Sequence, residues 1–171
     1  MDDSISYPIG PLEQAFIDDC FYGPEALLLD EILEINPEER RVRARMPTHQ
    51  DLPITRHQRA HPIHHPAHVS GGLMMHMTGV IAFVHFYYLL GLRHRDGWIG
   101  YGVRANDVRF HALANVTHPL VLECQAERTP RIRSKFLVRY KFRFTQEEAL
   151  VYEGSQTALW MRTSEGTRSS D

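Results

Sequence analysis

Between Ser70 and Leu92 the chain contains no proline and is almost continuously apolar, SGGLMMHMTGVIAFVHFYYLLGL, which predicts one long helix over that span. A helix that is apolar on most sides must be enclosed by other structure. Its densest part, Val80 to Leu92, holds 13 residues and includes His85, short of the roughly 20 that a bilayer span needs. The enclosure is therefore expected to be protein.

The rest of the chain reads mostly as strand. From Ala26 to Ile35 the residues ALLLDEILEI predict a largely buried strand, followed by a turn at Asn36-Pro37-Glu38-Glu39. In the next piece Val42, Ala44 and Met46 alternate with Arg41, Arg43 and Arg45, the period of two of a half-buried strand, so the two form a hairpin. Beyond the helix, Trp98 to Phe110 opens a meander. Leu120, Leu122, Cys124 and Ala126 alternate with Val121, Glu123 and Gln125, and Phe136, Val138, Tyr140, Phe142 and Phe144 alternate with Leu137, Arg139, Lys141 and Arg143. The final strand runs from about Leu150 to Met161, with turns at Thr129-Pro130 and Gln146-Glu147-Glu148. Ahead of these, Leu12, Phe16 and Ile17 take helical spacing within Pro11 to Phe21, a short lid helix that breaks at Gly23-Pro24. The polar run Ser164 to Asp171 is expected to be a disordered tail. A hairpin, one buried helix and a meander make an α+β domain in which an antiparallel sheet wraps a helix.

Composition narrows the function classes. At 171 residues and 43% hydrophobic content the chain can bury one good core. A formal net charge of -2 offers no broad field for nucleic acid or an anionic membrane, and neither is expected as a partner. Cys20 and Cys124 have no paired spacing, which fits a reducing, cytoplasmic setting. The acidic start MDDSISYPIG lacks the basic and apolar regions of a secretion signal.

The chemistry concentrates where a histidine-rich loop meets the helix. Six of the eleven histidines fall between His57 and His76, and no Asp or Glu occurs between Asp51 and Asp96. Imidazoles and backbone amides must carry whatever happens there. Ser70-Gly71-Gly72 opens the helix with unpaired N–H groups, the positive end of a dipole and no bulky side chain: an oxyanion hole for a thioester carbonyl, or simply a cap with Ser70 as N-cap. His76 lies one turn beyond Gly72 on the same face. His85, nine residues further, projects about 900 degrees away and so to the opposite face, as core or dimer contact. His61, His64, His65 and His68 are the residue type that binds zinc, but two prolines and the lack of Cys or carboxylate nearby argue against a metal, and none is expected. Arg56 and Arg59 suit the phosphates of coenzyme A or phosphopantetheine, or are solvated loop residues. Met74, Met77, Ile81, Phe83, Val84 and Tyr87 form either core or the wall of an acyl tunnel.

Several stretches carry a resemblance. EALLLDEILEINPEERRVRARMPT is similar to the first hairpin, and YGVRANDVRFHALANVTHPLVLECQAER to the strands after the helix, of the 3-hydroxyacyl carrier-protein dehydratases of the hot-dog fold. His61 and Pro66 keep that family's spacing of a histidine and a proline five residues on, and Gly71 takes its glycine position if one residue is inserted before the helix. The resemblance covers about Pro24 to Met161 and implies a hot-dog domain over 24–163 behind an N-terminal segment, 1–23. It also implies a homodimer whose sites combine one subunit's loop histidine with the other's helix. The family's helix carries a carboxylate about 14 residues after the histidine; here that position is Met75, or His76 with the insertion. Dehydration needs both a base and an acid.

The expected activity is hydrolysis of an acyl thioester of coenzyme A or a phosphopantetheine carrier, without a cofactor. The amides of Gly71 and Gly72 would polarise the carbonyl and His61 or His76 would activate water, with Arg56, Arg59, His65, His68, Ser70 and Met75 contacting substrate. A missing acid could come from Asp107 or Glu123. The alternatives are a dehydratase or hydratase with His76 in the acid's place, and a non-catalytic acyl-binding module.

Overall fold

A computed structural model of the chain describes residues 7–128, 131–132 and 135–163. The expected turn at Thr129-Pro130 and the expected tail from Ser164 lie outside the described residues. The strands are β1 (Gly10–Pro11), β2 (Glu31–Asn36), β3 (Arg41–Met46), β4 (Trp98–Phe110), β5 (Leu120–Arg128), β6 (Arg131–Ile132), β7 (Lys135–Gln146) and β8 (Ala149–Arg162); the helices are α1 (Gln14–Asp19), α2 (Pro24–Leu27) and α3 (Gly71–Tyr88). The strands form one antiparallel sheet in the order β1-β2-β3-β5-β7-β8-β4, with β6 pairing the start of β7.

Helix α3 starts at the expected place because Ser70, in extended conformation, accepts the Leu73 amide on its hydroxyl at 3.1 Å. Every residue from Val80 to Tyr87 is buried, so its last two turns are covered on all sides. The inner face of the sheet supplies most of the cover, through Val42, Ala44 and Met46 of β3, Leu122 and Cys124 of β5, and Val138, Tyr140 and Phe142 of β7. Burying an aliphatic or aromatic side chain of this size contributes roughly 1.5–3 kcal/mol, so the alternating strands and the helix stabilise each other. The N-terminal segment closes a further side. Phe16 of α1 packs on Phe83, Tyr87 and Tyr88, and Phe21 packs on Phe83, Phe86 and Trp160.

The strand expected over Ala26 to Ile35 is corrected at its start. Pro24 sits at the first position of α2, where its fixed φ and missing N–H suit a helix, and Leu28 then turns left-handed (φ 54) before pairing begins at Glu31. Both hairpins fall where expected. Residues Pro37 to Arg40 link β2 to β3, with the Asn36 side chain accepting the Glu39 amide and Arg40 left-handed at φ 52. Glu147 and Glu148, both left-handed (φ 49 and 69), link β7 to β8 in the primed two-residue turn that matches strand twist. The outer face of β2 and β3 carries Arg41, Arg43 and Arg45 in ion pairs with Asp30, Glu31, Glu34 and Glu123. Strand β4 pairs only with β8 and ends the sheet.

Candidate active site

The first turn of α3 is the centre of the candidate site. Leu73 N and Met74 N bond back to Ser70, whereas the amides of Gly71 and Gly72 have no partner among the described residues. Gly72 is exposed, Gly71 half-buried, and α3 carries no acid in its first turn, so two unpartnered N–H groups and the positive end of a dipole lie at this surface. Two half-exposed apolar side chains flank them. A Cβ on Gly71 would stand 3.0 Å from Phe110 Cζ, so glycine is what lets that ring lie on the helix start, and Ile54 Cδ1 lies beside Gly72. Ile54 is in a tight γ-turn (φ 68, ψ -50) closed by Thr55 N donating to Pro53 O at 2.8 Å. That conformation is strained, and costs more for a β-branched residue. Strain of this kind concentrates at functional sites.

The loop leading into α3 is laced down from several directions. Thr55, buried, donates to His68 O; His68 N donates to Gln58 Oε1; Val69 N donates to Ala114 O. Asn115, which bridges His68, is in turn held by the buried Gln146 through Asn115 N and O. These clamps fix the last residues before Ser70, and the sequence marks Gln146 only as a turn residue.

The histidines differ in the nitrogen each leaves free. His61 forms a two-way backbone bridge with His65, and its Nδ1 accepts the amides of Ile63 and His64. A neutral His61 therefore carries its proton on Nε2, a donor rather than a base. His68 is the reverse: Nδ1 donates to Pro66 O at 2.9 Å, leaving the Nε2 lone pair open. His76, half-buried, donates from Nε2 to Ala26 O at 2.7 Å and meets the Tyr22 ring edge-on. It ties α3 to the segment around α2. His65 is exposed, with its ring against that of His68. Arg56 is exposed and donates to His57 Nε2, and Arg59 is exposed. Met75 accepts the Tyr152 hydroxyl on its sulfur at 3.2 Å.

The structure thus brings Ser70, Gly71 and Gly72 together with Phe110 and Ile54, and sets His68 on the chain just before them. Among the described residues, no contact joins His61 to α3, and no group of three or more His, Cys, Asp or Glu is arranged to hold a metal. Asp107 and Glu123 line a depression of about 280 Å³ that also contains Arg139, Lys141 and Arg143, on the face of the sheet opposite the core, so neither serves α3 of the same chain. The proposed tunnel residues Met74, Met77, Ile81, Phe83, Val84 and Tyr87 are all buried core. A small pocket of about 70 Å³ lies beside them, lined by Tyr22, Gly79, Ala82, Gly100 and Gly102 among others. Both cysteines are free, and burial pushes the Cys20 thiol up to about 11 and the Cys124 thiol well above its usual range, which leaves neither as a nucleophile.

No protein-family model matches the sequence, and no match is found among curated proteins. Solved structures do match in fold. A thioesterase from Haemophilus influenzae is 14% identical, covers 94% of this chain and 99% of its own, and superposes with a TM-score of 0.60. The dehydratase heterocomplex ApeI:P from Xenorhabdus doucetiae is 11% identical over 94% of each chain, with a TM-score of 0.57. A hypothetical thioesterase from Streptococcus pneumoniae, solved with coenzyme A, is 12% identical over 78% of this chain and 88% of its own, with a TM-score of 0.54. The chain has the hot-dog fold, in agreement with the α+β expectation. Among the described residues no helix is long and apolar enough to cross a membrane.

Proposed function

We propose that this hot-dog chain hydrolyses acyl thioesters at the start of α3. The observation that carries the reading is the pair of amides at Gly71 and Gly72 that have no partner among the described residues. Two such donors hold a thioester carbonyl and strengthen as it becomes an oxyanion, the kind of stabilisation worth about 3–4 kcal/mol per donor in acyl transfer. His68 is the base, because its free Nε2 can take a proton from water while Pro66 O holds the imidazolium that results. His76 positions the helix through Ala26. Collapse of the tetrahedral intermediate then breaks the C–S bond, and the leaving thiolate takes up the proton held on His68 Nε2. Ile54 and Phe110 offer apolar contact to the acyl group, and Arg56 and Arg59 stand in the loop where coenzyme A or phosphopantetheine phosphate would approach. The thioesterases among the structural neighbours, one of them solved with coenzyme A, support this substrate class. A cytoplasmic homodimer is part of the reading: β4 ends the sheet with Tyr101 and Val103 more than half exposed, an edge suited to a second copy.

Dehydration is the weaker reading. Helix α3 has no carboxylate, and the Nε2 proton of His76 is held by a backbone carbonyl rather than offered to a leaving hydroxyl. The test is a panel of saturated, 2-enoyl and 3-hydroxyacyl coenzyme A thioesters, followed for thiol release and enoyl absorbance together. Hydrolysis predicts thiol release that His68→Ala lowers by roughly 10²–10⁴-fold, the usual worth of a general base, with unfolding unchanged. Enoyl absorbance changing without thiol release would replace hydrolysis by dehydration. Silence in both channels with retained acyl affinity would leave an acyl-binding module.

A further inference from the structure

At the other end of α3, about 20 Å from Gly71 at 1.5 Å per residue, a pocket of about 330 Å³ opens against the β2–β3 turn. It is lined by Pro37, Arg40, His85, Leu89 and Leu90. His85 is 1% exposed, and its Nδ1 lies 3.1 Å from the Tyr140 hydroxyl, which lies 3.1 Å from Trp160 Nε1. An indole N–H can only donate, so Tyr140 accepts from Trp160. The phenolic proton, fully buried, then has His85 Nδ1 as its acceptor among the described residues. This order places the proton of neutral His85 on Nε2. That N–H has no partner among the described residues, and His85 lines the pocket.

The other lining groups fix the kind of ligand. Arg40 is held by its own backbone, with its N donating to Pro37 O and its O accepting Ala126 N, and its guanidinium forms no ion pair among the described residues. Three of the carbonyls at this helix C-terminus, which would otherwise repel an anion, are already paired: His85 O with Leu89 N and Leu90 N, Phe86 O with Leu92 N, and Tyr87 O with the Arg93 guanidinium. Pro37, Leu89 and Leu90 add apolar walls. One neutral N–H, one guanidinium and three apolar walls suit a singly charged head with a short apolar tail. A phosphate dianion would lack donors there.

We propose that this pocket binds a small monocarboxylate, one oxygen accepting from His85 Nε2–H, the charge facing Arg40 and the apolar tail lying on Pro37, Leu89 and Leu90. The site is separate from the helix start and stands whether or not the chain is a hydrolase. The test titrates sodium benzoate into full-length protein labelled with nitrogen-15 at histidine, with benzyl alcohol as the uncharged probe of similar shape. The expected result is a saturable shift of the His85 Nε2–H resonance by benzoate and none by benzyl alcohol. Arg40→Gln, on the surface and outside the helix-start site, raises the benzoate Kd at least tenfold and leaves Tm and thioester turnover unchanged. His85→Asn, which keeps an acceptor for Tyr140 but removes the donor, weakens binding as well. No saturable shift, equal binding of benzyl alcohol, a proton found on Nδ1, or unchanged affinity in Arg40→Gln would each overturn the proposal.

Discussion

Acid should loosen this fold through His85. Burial, helped by the charge of Arg40, pushes its imidazole down from 6.5 to about 4, so the folded chain keeps it neutral where the unfolded chain protonates it. The unfolded state then binds the extra proton, and stability falls as pH drops below 6.5, the loss being complete near pH 4. Each factor of ten in proton affinity is about 1.4 kcal/mol, so the full loss is about 3 kcal/mol, against a total of roughly 5–15 kcal/mol for a domain. Between pH 7 and pH 5 the linkage relation gives about 2 kcal/mol. Urea unfolding of the wild type and His85→Asn at pH 7, 6 and 5 isolates it, because all other titrating groups are common to both chains and asparagine still accepts from Tyr140. The wild type should lose about 2 kcal/mol more than the variant over that interval. Parallel stability curves would show that His85 is not the source of the loss.

Four further outcomes follow from particular contacts. Tyr140→Phe leaves Trp160 Nε1–H and His85 Nδ1 without partners in the core, and should cost about 2–4 kcal/mol in a urea melt. Asp19, buried, accepts His94 N at 2.8 Å and Arg95 N at 2.9 Å on its two oxygens; Asp19→Ala should lose about 2–3 kcal/mol and Asp19→Asn less, measured by thermal unfolding. Gly71→Ala puts a methyl against Phe110 beside the free amides. Since that ring is half exposed and can swing out, stability should stay within about 1 kcal/mol while thioester turnover falls at least tenfold. Val103→Lys should turn the dimer we propose into a monomer, read by sedimentation, by placing charge on the exposed edge of the sheet.

What could be read from the sequence was what local periodicity controls. The alternation in Arg41–Met46 and Phe136–Phe144 and the unbroken apolar run of α3 each state which side is buried, and the structure follows them. Ala26 to Ile35 misled because an apolar run does not distinguish strand from helical turn; Pro24 at the first helical position and Leu28 in a left-handed conformation decided it. The site was legible only in its backbone, as a serine and two glycines at a helix start. Phe110 reaches Gly71 from the end of a strand far along the chain, and Ile54 reaches Gly72 from a strained turn that no turn signature announces. The roles of the histidines were equally hidden, because whether a ring nitrogen is a donor or a free lone pair depends on partners such as Pro66 O and Ala26 O that sequence spacing does not reveal.

The same burial that makes α3 recognisable also dictates where its chemistry can be. From Val80 to Tyr87 every residue is enclosed, so a carboxylate there would lose its hydration, at a cost of several kcal/mol without a partner, and no Lys or Arg lies among the buried described residues to pair with it. Nearer the start, Met75, His76 and Gly79 are only half buried, yet His76 is taken by Ala26 O and Tyr22 lies across Gly79. Polar function is thereby pushed to the two ends of the helix. At the N-terminus the donors without a partner among the described residues are the amides of Gly71 and Gly72, which suits a carbonyl that gains negative charge as it reacts. At the C-terminus three of the carbonyls are already paired and the polar side chains lining the pocket are His85 and Arg40, which can hold an anion but offer no second group to activate a nucleophile. A helix sealed in its middle thus fits what we propose, reaction at one end and binding alone at the other.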